Sequence, residues 1–216
     1  MRKKLIVDIL MFILMILEFS RGFMLPIFHE IIGIVLFVLV IIHLILNKNY
    51  IKNISKMKSD LSSILIFIIN ISFFITFILS IVFGILSSQD LLKFLNVHNI
   101  KIISLHKVFS YISLIILGFH LGINFNVMFG KLLKKINNYV CYLIQLIIAI
   151  YGIYSFIKLD IVKHITGTYG FGITDNNIFV NILEYLSIIL MITFIVNSIY
   201  KLIISRRKIN WKTKKV

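Results

Sequence analysis

Cysteine is nearly missing from this sequence of 216 residues: there is one, Cys141, inside an apolar run. An intrachain disulfide and a C-x-x-C-H site for covalent haem are therefore excluded, and the thiol is expected to pack as a small apolar group. Acidic residues are scarce too, with eight Asp and Glu against 23 Lys and Arg and a formal charge of +15. A surplus of that size can mark nucleic-acid binding. Here the basic residues gather in short segments between apolar runs, which fits a membrane topology signal, so no nucleic-acid partner is expected. The apolar runs do not alternate with polar residues, which excludes a closed β-barrel. A nucleotide fingerprint is lacking as well. The run "TGTYGFG", residues 166 to 172, falls short of one and no expected strand precedes it, so it reads as a turn-rich loop. Without a nucleotide-binding domain the chain cannot by itself oxidise NADH.

What the sequence has in abundance is apolar length. It is 60% hydrophobic with a mean hydropathy of +1.03. Six runs, near residues 5 to 22, 27 to 46, 61 to 86, 105 to 129, 139 to 157 and 183 to 204, approach or exceed the roughly 20 helical residues that cross a hydrocarbon core. The expected fold class is all-α: a polytopic membrane protein with six transmembrane helices. The basic, apolar N-terminus lacks a small-residue cleavage site and reads as a retained first helix. Orientation follows from charge. Arg2, Lys3 and Lys4, then Lys48, Lys52, Lys56 and Lys58, then Lys131, Lys134 and Lys135, and the basic tail from Arg206 to Lys215 all fall on one side of a six-span chain. Both termini are therefore expected in the cytoplasm, with the protein multi-pass in a bacterial cytoplasmic membrane. Residues 87 to 104 and 158 to 182 form the outer, partner-facing segments.

Two apolar stretches carry a histidine at each end. "HEIIGIVLFVLVIIHLIL" holds His29 and His43, and "HKVFSYISLIILGFHLGI" holds His106 and His120, fourteen positions apart in both. Fourteen residues make close to four helical turns, so each pair shares one helix face with its members ~21 Å apart along the axis. The two helices run in the same direction across the membrane, placing His29 with His106 near the outer surface and His43 with His120 deeper. Two same-level pairs are what two stacked bis-histidine haems need, since each iron takes one axial ligand from either face of the macrocycle. Gly33 and Ser110 lie one turn inside the outer pair, and Ser113 another turn in, leaving room for a flat ring. An offset of 77 residues also maps Leu44 to Leu121, Asn47 to Asn124 and Asn49 to Asn126. Residues 1–130 then form a four-helix haem-binding bundle of two repeats, about 1–58 and 59–130. Residues 131–216 add two helices that flank it and a basic cytoplasmic tail.

Other polar groups have assigned expectations. Glu18 and Arg21, three residues apart, read as an ion pair. Alternatively Arg21 and Lys107 serve the propionates of the outer haem, with Glu30 handling protons at a quinol site. His98 and His164 fall in the outer segments and read as surface residues. No cysteine or carboxylate clusters with the four histidines at tetrahedral spacing, which disfavours zinc. Two functions stay open: transmembrane electron transfer through two b-type haems, or a haem-free transporter or channel with a histidine-lined proton or metal-ion path.

The residues "HEIIG" at 29 to 33, "HLILNKNYIK" at 43 to 52 and the histidine helix at 106 to 120 resemble the flavinylation-associated cytochrome family of bacterial membrane proteins. More distantly the arrangement is similar to dihaem cytochromes b and ferric-reductase-like membrane domains. The resemblance covers about residues 1–130. It implies that His29, His43, His106 and His120 ligate two b haems, and that electrons pass from quinol or a cytoplasmic donor to a flavin-bearing extracytoplasmic partner. The sequence departs from the family where it reads "HLGINFN", lacking a further histidine followed by an aromatic, and in its two C-terminal helices. It contains no flavin attachment motif, so a covalent flavin is expected on another chain.

Overall fold

The structure, a computed structural model, describes residues 2–20, 25–54, 60–125, 137–168 and 177–213. Helix α1 spans Arg2–Phe19, α2 Pro26–Leu46, α3 Lys48–Lys52 and α4 Leu61–Leu86. A 3-10 turn at Lys93–Leu95 leads to α5, Ile100–Ile123, followed by α6, Asn138–Lys158, the short α7, Ile161–Thr166, and α8, Ile178–Thr213. Asparagines start three of the long helices. The side chains of Asn99, Asn137 and Asn177 each accept from the backbone N–H two residues on, at 2.9 Å. Such caps occupy amide hydrogens that have no partner within the helix. They explain why α5 begins at Ile100 and α8 at Ile178, ahead of the apolar runs expected from residues 105 and 183. Pro26 opens α2 in its first turn, where its missing N–H costs nothing.

Five of these helices are long and apolar enough to cross a membrane: α2, α4, α5, α6 from Tyr139 to Lys158, and α8 from Ile178 to Ile203. Helix α1, with Arg2, Lys3, Lys4, Asp8 and Glu18 among its 18 residues, is not among them. Large apolar side chains face outward in stripes, as with Leu143, Leu146, Ile147, Ile150, Ile153 and Ile157 along α6. In water such a stripe would drive aggregation, but in lipid it is the solvated face.

The helices pair as α1 with α2 and α4 with α5, while α8 packs against both α5 and α6 and touches α1. The two C-terminal helices, expected as flanking elements, thus differ in role. Helix α6 shows lipid a wide face, but α8 supplies much of the core. Ile188, Ile189, Thr193 and Glu184 on α8 are fully buried, together with Leu114 on α5. Glycines permit this approach. A Cβ at Gly118 would stand 2.7 Å from Ile192, one at Gly122 2.6 Å from Val196, and one at Gly152 2.6 Å from the Ser187 carbonyl oxygen. Gly118 and Gly122 have the G-x-x-x-G spacing that lets two membrane helices touch backbone to backbone. Helices α2 and α5, which carry the histidines, face each other mainly across a cavity.

Candidate functional site

Helices α2 and α5 bring His29 and His106 together with ring centres 6.0 Å apart and planes at 76°. Metal–nitrogen bonds of about 2 Å, with about 1 Å more from each nitrogen to its ring centre, place two axial imidazoles about 6 Å apart. The outer pair has that separation. At the deeper level His43 and Asp8 lie within electrostatic reach of His120, whose ring stacks on Phe73 at 5.5 Å.

Three of the four rings make a hydrogen bond through Nδ1 to a neighbouring helix, and the fourth, His29, has a carboxylate at contact distance. His106 Nδ1 donates to the Ser80 carbonyl oxygen at 2.8 Å, and a carbonyl can only accept, so this ring carries its proton on Nδ1. His120 Nδ1 faces Asn70 Oδ1 at 2.9 Å, with the Asn70 amide turned that way by donation from its Nδ2 to the Tyr50 hydroxyl. His43 Nδ1 meets Asp8 Oδ1 at 2.7 Å. His29 Nδ1 lies 2.7 Å from Glu18 Oε2, a close charge-pairing contact in which the N–H is not aligned on the oxygen. At His106, donation from Nδ1 fixes the tautomer that keeps a lone pair on Nε2, the arrangement that supports metal-ligating histidines, whereas His43 Nε2 has the Asn47 amide nitrogen at 3.3 Å. Glu18 stands against His29, and the expected Glu18–Arg21 pair and the propionate role of Arg21 fall outside the described residues. Asp8 and Glu18 have imidazole partners across the α1–α2 contact, which accounts for acids within an otherwise apolar helix.

The internal repeat has a structural counterpart. Asn47 and Asn124 are the C-caps of α2 and α5, and each donates from Nδ2 to the carbonyl oxygen of the deeper histidine in its own helix, His43 or His120, at 2.9 Å.

The outer pair opens onto a cavity of about 690 Å³. Pockets for small molecules and cofactors run from about 300 to 1,000 Å³. Gly33, Ser110 and Lys107 line it, as does Ser113, whose buried hydroxyl has no hydrogen-bond partner. Nothing lies within 4 Å of the place a Gly33 Cβ would occupy. Ser110 Oγ donates to the His106 carbonyl oxygen at 2.7 Å and stands 2.6 Å from Ser80 Oγ. Gly84 on α4 also borders the site. A Cβ there would lie 3.0 Å from His106 Cε1, so the bare backbone gives the imidazole its place. Among the described residues no three histidine, cysteine or carboxylate side chains group around a common point for a metal ion. Paired donors suit a macrocycle that supplies the equatorial nitrogens and leaves two axial positions to the protein.

Glu30 and His164 differ from their expected roles. The Glu30 carboxylate accepts from Ser88 Oγ at 2.7 Å and from the backbone N–H groups of Gln89, Asp90 and Leu91 at 2.7, 3.1 and 2.7 Å. Both oxygens are committed to holding the turn after α4, which makes it a clasp rather than a proton carrier. His98 is exposed, as a surface residue should be. His164 instead lines the cavity, its ring stacked on Tyr111 at 4.1 Å and 5°. Tyr111 in turn shares a 2.8 Å hydrogen bond with the Tyr185 hydroxyl. The helix of His164, α7, is only six residues long, so no spacing in the sequence signals this position.

Burial, with Lys107 adding to it, pushes the His164 imidazole down to about 4. The ordinary value is 6.5, so between pH 6.5 and about 4 the native state binds fewer protons at this site than the unfolded chain. Stability contributed here falls as pH drops through that window. His164→Phe keeps a flat ring against Tyr111 and removes the titration. Thermal unfolding at stepped pH is expected to show a shallower acid loss in that variant, and an unchanged profile would oppose the assignment. No known family model, curated protein or solved structure matches this chain.

Proposed function

We propose that this protein is a membrane cytochrome that carries electrons through two bis-histidine b haems. The reading rests on one observation above the others: of four histidines at matched fourteen-residue spacing, three have Nδ1 hydrogen-bonded to an acceptor and the fourth, His29, has a carboxylate at contact distance, and the outer two stand 6.0 Å apart over a cavity. A haem group, if held by two imidazoles, would supply one-electron chemistry that needs no ligand to leave, which suits electron transfer. The chain's own residues would supply the rest. His29 and His106 hold the outer group, His43 and His120 the inner one. Gly33 and Gly84 keep the outer space open, Ser110 and Ser113 edge it, and Lys107 offers a cation for a carboxylate substituent of the macrocycle.

With α1 counted as a sixth span, the distribution of basic segments supports a reading in which both termini are cytoplasmic. Electrons would enter from quinol or a cytoplasmic donor and leave toward an extracytoplasmic flavoprotein, the partner implied by resemblance to the flavinylation-associated cytochromes. The deciding experiment is stoichiometric. Detergent-solubilised protein assayed by pyridine haemochrome is expected to contain two b haems per chain. One haem per chain would remove the inner or outer centre from the proposal, and colourless protein would return the histidines to an ion or proton path.

A further inference from the structure

We propose that α1 sets the potentials of both haem centres: Glu18 and Asp8 act through His29 and His43 to hold each iron at a lower potential than its ligands alone would. The inference rests on the dihaem reading above and concerns how the site is tuned. Its basis is an asymmetry that occurs at both levels. The α2 ligand faces a carboxylate from α1, with Glu18 Oε2 2.7 Å from His29 Nδ1 and Asp8 Oδ1 2.7 Å from His43 Nδ1. The α5 ligand faces a neutral acceptor from α4, the Ser80 carbonyl oxygen for His106 and the Asn70 amide oxygen for His120. One side of each pair is thus charged and the other is not.

A carboxylate behind an imidazole makes the ring a stronger electron donor, and groups beyond the first ligands tune a metal in this way. Reduction adds an electron to the iron, so a negative charge just beyond its ligand opposes it, and a medium of low dielectric enlarges the effect. The Glu18 and His29 side chains are 15% and 17% exposed, and those of Asp8 and His43 are 30% and 28% exposed. The outer pair is the drier, so the Glu18 charge, which acts there through space without an aligned hydrogen bond, should shift its centre more. Glu18 and Asp8 are positioning residues in this scheme, since they act on the iron only through the ring.

The test is a redox titration of the full-length holoprotein, with the two centres told apart by the spectrum that remains in His29→Ala. Glu18→Gln keeps size and an acceptor oxygen while removing the charge. It is expected to favour reduction of the outer haem by a factor of ten or more, about 59 mV upward per factor of ten for a one-electron couple. Asp8→Asn should raise the inner midpoint by a smaller step, and each variant should leave the other centre near its starting value. Asn70→Asp supplies the reverse arm: it adds a carboxylate behind His120 and should lower the inner midpoint. A merely structural role for these side chains would not move the midpoints in opposite directions. Two haems present with all three midpoints unmoved would overturn the inference and leave the dihaem reading standing. Colourless protein without any substitution would overturn the dihaem reading itself.

Discussion

His29→Ala and His106→Ala are each expected to remove the same haem, and the double variant should lose no more than either single one. The ring centres lie 6.0 Å apart, close enough to share one iron in the proposed dihaem reading, and ligands acting as one unit are non-additive. His43→Ala or His120→Ala should remove the other haem and leave the outer spectrum intact. The mixed variant His29→Ala with His120→Ala carries the most information. Same-level pairing predicts loss of both haems, whereas a His29–His120 pair would retain the one held by His43 and His106. That alternative requires two ligands ~21 Å apart along the helices to meet one iron, which bonds of about 2 Å cannot do. His98→Ala should keep both haems because the residue is exposed in the segment before α5. His164→Ala should keep both because that ring is stacked on Tyr111 and lies outside the two histidine helices. Haem content per chain and the reduced-minus-oxidised spectrum read all of these outcomes. One retained haem in the mixed variant would show that the helix directions are wrong.

Gly152→Leu and Gly122→Leu are expected to do more damage to the fold than any comparable change on the lipid face. A Cβ at Gly152 would sit 2.6 Å from the Ser187 carbonyl oxygen, and one at Gly122 2.9 Å from the Thr193 carbonyl oxygen and 2.6 Å from Val196 Cβ. Backbone atoms cannot turn aside as a flexible side chain can, so the helices must separate. Overpacking costs typically about 1 to 3 kcal/mol even where a core adjusts. Here the displaced element is α8, which holds Glu184, Ile188, Ile189 and Thr193 out of lipid and water. Each Leu variant is expected to lose about 3 kcal/mol or more, read as a lower thermal midpoint in detergent. Gly33→Ala is the control. Nothing lies within 4 Å of its added methyl, and its thermal midpoint should stay close to that of the unchanged protein. Equal midpoints for Gly152→Leu and Gly33→Ala would mean that α6 and α8 do not pack as described.

Much of this architecture is legible in the residues because its causes are local. A run of some 20 apolar residues is costly in water and favoured in lipid wherever it occurs, so the spans can be read one at a time. Helical periodicity likewise places residues fourteen apart on one face, so the histidine pairs need no tertiary information. The repeat of His-x-x-x-Asn at 43 to 47 and 120 to 124 is also visible, although only the fold shows that both asparagines cap their helices onto those histidines. The G-x-x-x-G at 118 to 122 is a further local signal, and it marks the contact with α8 that the histidine pattern overshadows.

What stands behind each imidazole was decided between helices. Asp8 and Glu18 have no sequence relation to His43 and His29, and a carbonyl acceptor such as that of Ser80 leaves no mark in a sequence, since every residue carries one. His164 and Glu30 depend on tertiary structure in the same way. One reaches the cavity wall because α7 folds back against α5, and the other is saturated by a turn nearly sixty residues away. Hydrophobic transfer and helical period act along the chain and therefore appear in it, whereas hydrogen-bond partners are chosen by which helix faces meet, and that choice is made only when the helices pack.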